Sequence, residues 1–218
     1  MKMLIASVLV LFAVSSAQAE DTIKCTPPNG DVPEDFKDMT KGCFDKMRSQ
    51  IQTEIDASMQ YLAMGAHFAQ DTINRPGFSE FFFKAAAEER EHSHKLIEYL
   101  LMRGNLTDGI STLITVNLPK KTLWTTGVEA LKDALKYEVS VTKSIKGVIA
   151  QCEEDPVKTD EGVQNVNDYH LVDYLTGVYL EEQYHGQRDL AGKISTLDKL
   201  MKSHGPLGEF LYDKKLLE

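Results

Sequence analysis

Four stretches of the chain repeat apolar residues at steps of three and four, and each reads as one face of a long helix. From about Gly42 to Ala69 the periodic positions are Met47, Ile51, Ile55, Met59, Leu62, Ala66 and His67. From about Phe78 to Arg103 they are Phe78, Phe81, Phe82, Ala85, Ala86, Glu89, His92, Leu96, Tyr99 and Leu100. A third helix is predicted over roughly Trp124 to Cys152, with Val128, Leu131, Leu135, Glu138, Val141, Thr142, Ile145 and Val148 or Ile149. A fourth starts near Asp168 and runs past Asp189, with Val172, Leu175, Tyr179, Glu182 or Gln183, Gly186 and Leu190. Asn74-Arg75-Pro76-Gly77 separates the first two helices, because a prolyl residue ends any helix before it. Gly104 stops the second, Glu153 to Asn167 reads as a surface loop, and Gly205-Pro206 precedes one more short helix over Leu207 to Leu217.

The link from residue 105 to 122 is long, since helix connections in bundles usually take about 2 to 8 residues. It can travel the length of a helix, so the third helix runs parallel to the second. Its β-branched middle (Ile110, Thr112, Ile114, Thr115, Val116) predicts a short strand or a packed extended segment on the outside of the bundle. The fold class is therefore all-α: a four-helix bundle with one long crossover and a short fifth helix. At 1.5 Å per residue a 28-residue helix is about 42 Å long, which makes the bundle tall.

The apolar stripes carry charge where none is expected. In Glu88-Glu89-Arg90-Glu91-His92 the stripe passes through Glu89 and His92, and burying such groups unpaired costs about 2–7 kcal/mol for a polar group and more for a charge. Taken alone, a run like this is most often a solvated face. Every other helix, however, offers a polar residue near mid-length: Glu54 with Tyr61 two turns on, Glu138, and Glu182, Gln183 and His185. Glutamates from two helices plus Glu-x-x-His motifs, all pointing inward, are the ligand pattern of dinuclear carboxylate bundles. Oxygen-rich donors with one or two imidazoles suit iron or manganese better than copper or structural zinc. Glu88 and Glu91 fall about 100° from their neighbours Glu89 and His92 and face away from the bundle interior, while Arg90 is expected to pair with an acidic neighbour.

Composition narrows the setting. Residues 1–19 read as a signal peptide: Lys2, an apolar stretch from Leu4 to Val14 too short to span a bilayer, and the cleavage site Ala17-Gln18-Ala19. Removal leaves about 199 residues, enough for one well-packed domain. Residues 20–41 form an N-terminal extension rich in proline, and 42–218 form the bundle domain. The formal charge of −9 without a basic cluster argues against nucleic acid as a partner and suits the handling of cations. No other stretch is long and apolar enough for a membrane span.

Cys25, Cys43 and Cys152 lack zinc-finger spacing. An odd number in a secreted chain suggests one bridge plus one cysteine for a partner, the alternative being a single buried free thiol and no bridge at all. If the third helix runs antiparallel to the first, the start of one meets the end of the other, which predicts Cys43–Cys152 and leaves Cys25 on the arm for another subunit. Asn105-Leu106-Thr107 is a glycosylation sequon on a predicted exposed turn.

Several motifs together resemble one family. Gln52-x-Glu54-x6-Tyr61-Leu62, Glu88-Glu89-Arg90-Glu91-His92, Tyr137-Glu138 and Leu180-Glu181-Glu182-Gln183 resemble the ferroxidase-type, heavy-chain ferritins, and Gly208-Glu209-Phe210-Leu211-Tyr212-Asp213-Lys214 resembles their terminal helix. The signal peptide, the cysteine-bearing arm and the insertion after the third helix look like the secreted heavy-chain-type ferritins of insects. The resemblance implies an iron-storage ferroxidase subunit that oxidises Fe(II) with dioxygen and stores ferric mineral in a 24-subunit shell shared with a light-chain-type subunit. Glu54, Glu89 and His92 would hold one iron, and Glu89, Glu138 and Gln183 would form the neighbourhood of the second. Tyr61 would hydrogen-bond a ligand carboxylate.

The resemblance has gaps. Glu182 and His185 make a second Glu-x-x-His that the family pattern does not need, and Gln183 is preferred as the inward residue. Asp173 matches one acidic position of the family's three-fold channel and His170 a histidine near it, but Thr176 replaces the second acid. Glu88 and Glu91 match mineral-nucleating positions, with His94 where a glutamate is common. Two rivals remain: a catalytically silent shell subunit and a secreted helical-bundle signalling ligand.

Overall fold

The computed structural model describes residues 30–106, 112–153, 157–159, 162–164 and 167–218. The signal peptide, Cys25 and Thr107 of the sequon lie outside them. Residues 30–33 are exposed coil.

From residue 34 onward, helix starts are set by identifiable caps. Thr40 accepts the Cys43 N–H at the head of α1 (Lys41–Ala69), and Pro76 sits in the first turn of α2 (Pro76–Met102), where its missing N–H costs nothing. Thr126 accepts the Glu129 N–H at 3.1 Å to start α3 (Gly127–Cys152). The cap moves the start of α3 past Trp124, which lies in the preceding coil with its indole N–H on Asp133 at 3.2 Å. Two short antiparallel strands, β1 (Val157–Thr159) and β2 (Gly162–Gln164), replace part of the loop expected after α3. Asp168 caps α4 (Tyr169–Tyr174), which passes through a π-helical stretch, Leu175–Leu180, into α5 (Glu181–His204). Gly205, at φ 55°, turns the chain into α6 (Pro206–Lys215).

Both ends of the bundle are tied. At one end Cys43 bridges Cys152, as the crossover predicted. Arg103 there joins Asp38 ahead of α1 to Asp168 ahead of α4. At the other end α6 supplies carboxylates to two helix starts: Asp213 accepts the Phe78 N–H of α2 at 3.0 Å, and Glu209 accepts the Gly127 N–H of α3 at 2.8 Å. Each carboxylate satisfies a donor that the helix itself leaves unpaired. The backbone comes close here, since a Cβ on Gly77 would lie 1.9 Å from the Asp213 carbonyl oxygen. With both starts at one end, α2 and α3 are parallel.

Among the described residues, 114–119 of the crossover lie along α1 as extended chain without strand pairing. Gln52 exchanges two hydrogen bonds with the Thr115 backbone, at 2.7 and 2.8 Å, and Gln60 holds the Lys120 and Lys121 amides. Side-chain amides thus take the place of a neighbouring strand.

The core divides in two. One apolar cluster, around Met47, Ile51, Leu96, Leu100, Ile145, Leu171 and Leu175, lies next to the disulfide. The other, around Phe68, Phe78, Phe82, Trp124, Leu131, Leu190 and Tyr212, lies toward α6. Each fully buried side chain of this kind contributes about 1.5–3 kcal/mol. The buried face of α1 differs from the expected stripe: Leu62 and Ala66 are exposed, Ile55 and Met59 half-buried, whereas Gln50, Glu54, Ser58, Tyr61, Met64 and Phe68 point inward. On the fourth helix Leu171 replaces Val172 in the core, and Gly186 is exposed.

Candidate metal centre

Between the two apolar clusters, buried polar side chains from all four long helices meet. Glu54 of α1 is wholly buried and receives the Gln50 amide N–H from one turn earlier, at 2.7 Å. Its second oxygen, Oε2, is buried and accepts no hydrogen bond from the described residues. Glu89 and His92 of α2 face the same space, with His92 Nδ1 3.4 Å from Glu89 Oε2. Ligand atoms of Glu54, Glu89 and His92 lie within 4.8 Å of one another, which suits a single shared cation. Glu138 of α3 is buried and receives the Tyr61 hydroxyl from across the bundle. Gln183 of α5 is buried, its Oε1 taking a hydrogen bond from Thr142 at 2.9 Å.

The layer has too many negative charges for its surroundings. Burial pushes the Glu54 carboxyl well above the ordinary glutamate range, and the charge of Glu89 adds to the effect. Glu89 is raised likewise, by burial first and then by Glu138. Burial and the neighbouring Glu138 charge also raise Tyr61, so the phenol stays a donor. Gln50 and Tyr61 supply neutral hydrogen bonds to Glu54 and Glu138, and these cannot balance three carboxylates; a bound cation can. Mostly oxygen donors plus one imidazole match the preferences of iron or manganese.

The other expected positions separate cleanly. Glu88 and Glu91 are exposed, against Lys84 at 3.7 Å and His94 at 4.0 Å respectively. Arg90 donates to the Ser58 hydroxyl at 3.3 Å and pairs with no acid among the described residues, because α1 presents that hydroxyl on the adjoining face. Asp173 and His170 lie on exposed positions of α4, away from the layer, with His170 Nδ1 on the Tyr99 hydroxyl at 2.8 Å. His185 is exposed and nearest Glu181 at 3.9 Å, so the second Glu-x-x-His is not assembled as an inward pair. Its glutamate is nevertheless at the edge of the site: Glu182 Oε1 is 3.3 Å from His92 Nε2.

Sequence reasoning missed the supporting residues Gln50 and Gln187. Gln50 stands one turn before Glu54, and Gln187 donates to Thr142 at 2.6 Å one turn after Gln183. Their i,i+4 spacing from the site residues was the available signal.

A ferritin-like domain model matches residues 44–200. The chain is 57% identical over 213 residues to the ferritin heavy chain of Drosophila melanogaster, covering 98% of each. It is 54% identical over 213 residues to that of Trichoplusia ni, covering 97% of each. The crystal structure of Trichoplusia ni secreted ferritin superposes with a TM-score of 0.81 at 58% identity, over 89% of this chain and 97% of that one. With a matched domain that spans all four long helices and the buried carboxylate layer, and with heavy-chain relatives alike over nearly their whole length, the chain belongs to the ferritin family.

Proposed function

We propose that this chain is an iron-storage ferroxidase subunit: it binds two Fe(II), passes their electrons to dioxygen, and delivers Fe(III) to a mineral inside a multi-subunit shell. The observation that carries this reading is the buried group Glu54, Glu89 and His92, whose ligand atoms lie within 4.8 Å of one another between two apolar cores. Glu54, Glu89 and His92 hold the first iron, and Glu89, Glu138 and Gln183 surround the second. Iron here is the substrate. The protein contributes hard ligands, fixed spacing and exclusion of water. Tyr61 and Thr142 orient Glu138 and Gln183 before iron arrives.

The wider reading has separate support. Residues 1–19 act as a leader, 20–41 as an arm and 42–218 as the shell-forming domain. The Cys43–Cys152 bridge fits an oxidising compartment, and the likeness to a secreted ferritin agrees with it. In that compartment Cys25 links the chain to a light-chain-type partner in a 24-subunit shell. Glu88 and Glu91 face the mineral, while Asp173 and His170 line the entry route.

Replacement of both Glu89 and His92 by alanine tests the central claim. Rapid aerobic Fe(II) oxidation should disappear while the particle mass stays unchanged. Oxidation at the original rate would favour the silent shell subunit.

A further inference from the structure

His92 has two ring nitrogens, and the fold places a carboxylate at each. Nδ1 is 3.4 Å from Glu89 Oε2 on its own helix, whereas Nε2 is 3.3 Å from Glu182 Oε1, which arrives from α5. The two carboxylates differ in setting. Glu89 is buried with Glu54, while the Glu182 side chain is 53% exposed at the outer margin of the layer.

A neutral imidazole offers a lone pair on one nitrogen only, and the hydrogen bond made by the other decides which. We propose that Glu182 is a positioning residue for the cation site: it accepts the Nε2–H of His92 and so leaves the Nδ1 lone pair directed toward Glu89 and Glu54. The inference rests on the cation-binding reading given above, and it assigns a role to a residue outside the ligand set.

The surroundings of His92 support a built contact. Tyr179, three residues before Glu182, donates its hydroxyl to the His92 carbonyl at 2.8 Å. Its ring lies 5.6 Å from the imidazole, at 57°. This stretch thus meets His92 at its backbone carbonyl and its ring, and brings the Glu182 carboxylate to ion-pair distance of its Nε2. The next residue, Gln183, turns into the bundle onto Thr142, which fixes the rotation of α5 about its axis at that point. Partners of this kind hold a ligating histidine in one orientation, and losing them typically costs about 10–100-fold in metal affinity.

The test is a Co(II) titration of the full chain as purified, following the visible absorption of the bound ion, with Glu182→Gln and Glu182→Leu compared to the unaltered protein. Glu182→Leu should weaken Co(II) binding by about tenfold or more, and Glu182→Gln, whose carbonyl still accepts the Nε2–H, should restore it. Unchanged affinity in Glu182→Leu would overturn the inference. Equal loss in both variants would overturn it too, by making Glu182 a direct ligand. In a His92→Ala background Glu182→Leu should cause no further loss, because the effect runs through the imidazole; an added loss there would overturn it. Failure of the unaltered protein to bind Co(II) would sink the cation-binding reading itself, and this inference with it.

Discussion

Tyr61 of α1 donates its hydroxyl hydrogen to Glu138 of α3, joining two helices across the bundle directly beside Glu89. The ring is held separately, stacked on Phe82 at 6.2 Å. Packing and hydrogen bonding can therefore be divided by experiment. Tyr61→Phe keeps the ring and removes the donor, leaving a buried carboxylate short of one partner. The expected cost is about 1.5–3 kcal/mol in the metal-free protein, together with slower initial Fe(II) oxidation. Thermal melting and stopped-flow absorbance measure the two, and no change in either would mean that Glu138 is held by something else.

Glu54 and Glu89 give a pH dependence of definite sign. Burial raises both carboxyls above the ordinary glutamate value, with the charge of Glu89 adding to the effect on Glu54 and that of Glu138 to the effect on Glu89. Above that value the folded metal-free state holds more protons than the unfolded chain, so its stability falls as pH rises. As pH rises above the ordinary glutamate range the melting temperature of the metal-free protein should decline. Glu89→Gln should flatten the decline while weakening metal binding. Saturation with Zn(II) should release protons into a weakly buffered solution; a titration without proton release would contradict the burial argument.

The Cys43–Cys152 bridge joins residues 109 positions apart in the sequence. Loop entropy assigns such a bridge about 4–5 kcal/mol, within a usual range of about 2–5 for native disulfides. Replacing both cysteines by alanine should lower the denaturation midpoint by a corresponding amount. A midpoint within error of the parent would mean that the Arg103 ion pairs alone hold that end.

At the opposite end, Gly77 marks where α6 meets α2. Gly77→Ala would place a methyl group 1.9 Å from the Asp213 carbonyl, so α6 must move and its caps on Phe78 and Gly127 must loosen. A loss of about 1–3 kcal/mol is expected. Asp213→Ala, which removes one cap without adding bulk, should cost about 0.5–2 kcal/mol. Proteolysis of the terminal residues reports the release of α6, and an alanine at Gly77 that leaves them protected would refute the close approach.

Much of this arrangement was legible in the residues. The breaks at Pro76 and Gly104, the long crossover and the disulfide followed from local backbone chemistry and from helix direction. Glu89, His92 and Glu138 stood out because they interrupt otherwise apolar stripes. α1 was harder: Gln50, Glu54 and Ser58 are buried while Leu62 is 40% exposed. Met47, Ile51, Met64 and Phe68 are buried as hydropathy expects, whereas Gln50, Glu54 and Ser58 depart from it because hydrogen bonds hold them inward. On the fourth helix the buried residues Leu171, Leu175, Tyr179 and Gln183 recur every four positions, too slowly for a regular α-helix. The π-helical stretch Leu175–Leu180 accommodates that spacing, and no 3.6-residue pattern could reveal it.

Helices usually fray from their ends inward, yet here the ends are the secured parts. A covalent bridge and an arginine clasp hold one end, and two borrowed carboxylates hold the other. What remains unsatisfied in the metal-free molecule is its waist, where Glu54 Oε2, beside Glu89, accepts no hydrogen bond from the described residues. Amide exchange in that form should accordingly be fastest, among the helical segments, at mid-height. The same waist should be the first region to quieten when a cation enters, so that capturing the ion and stiffening the bundle become one event.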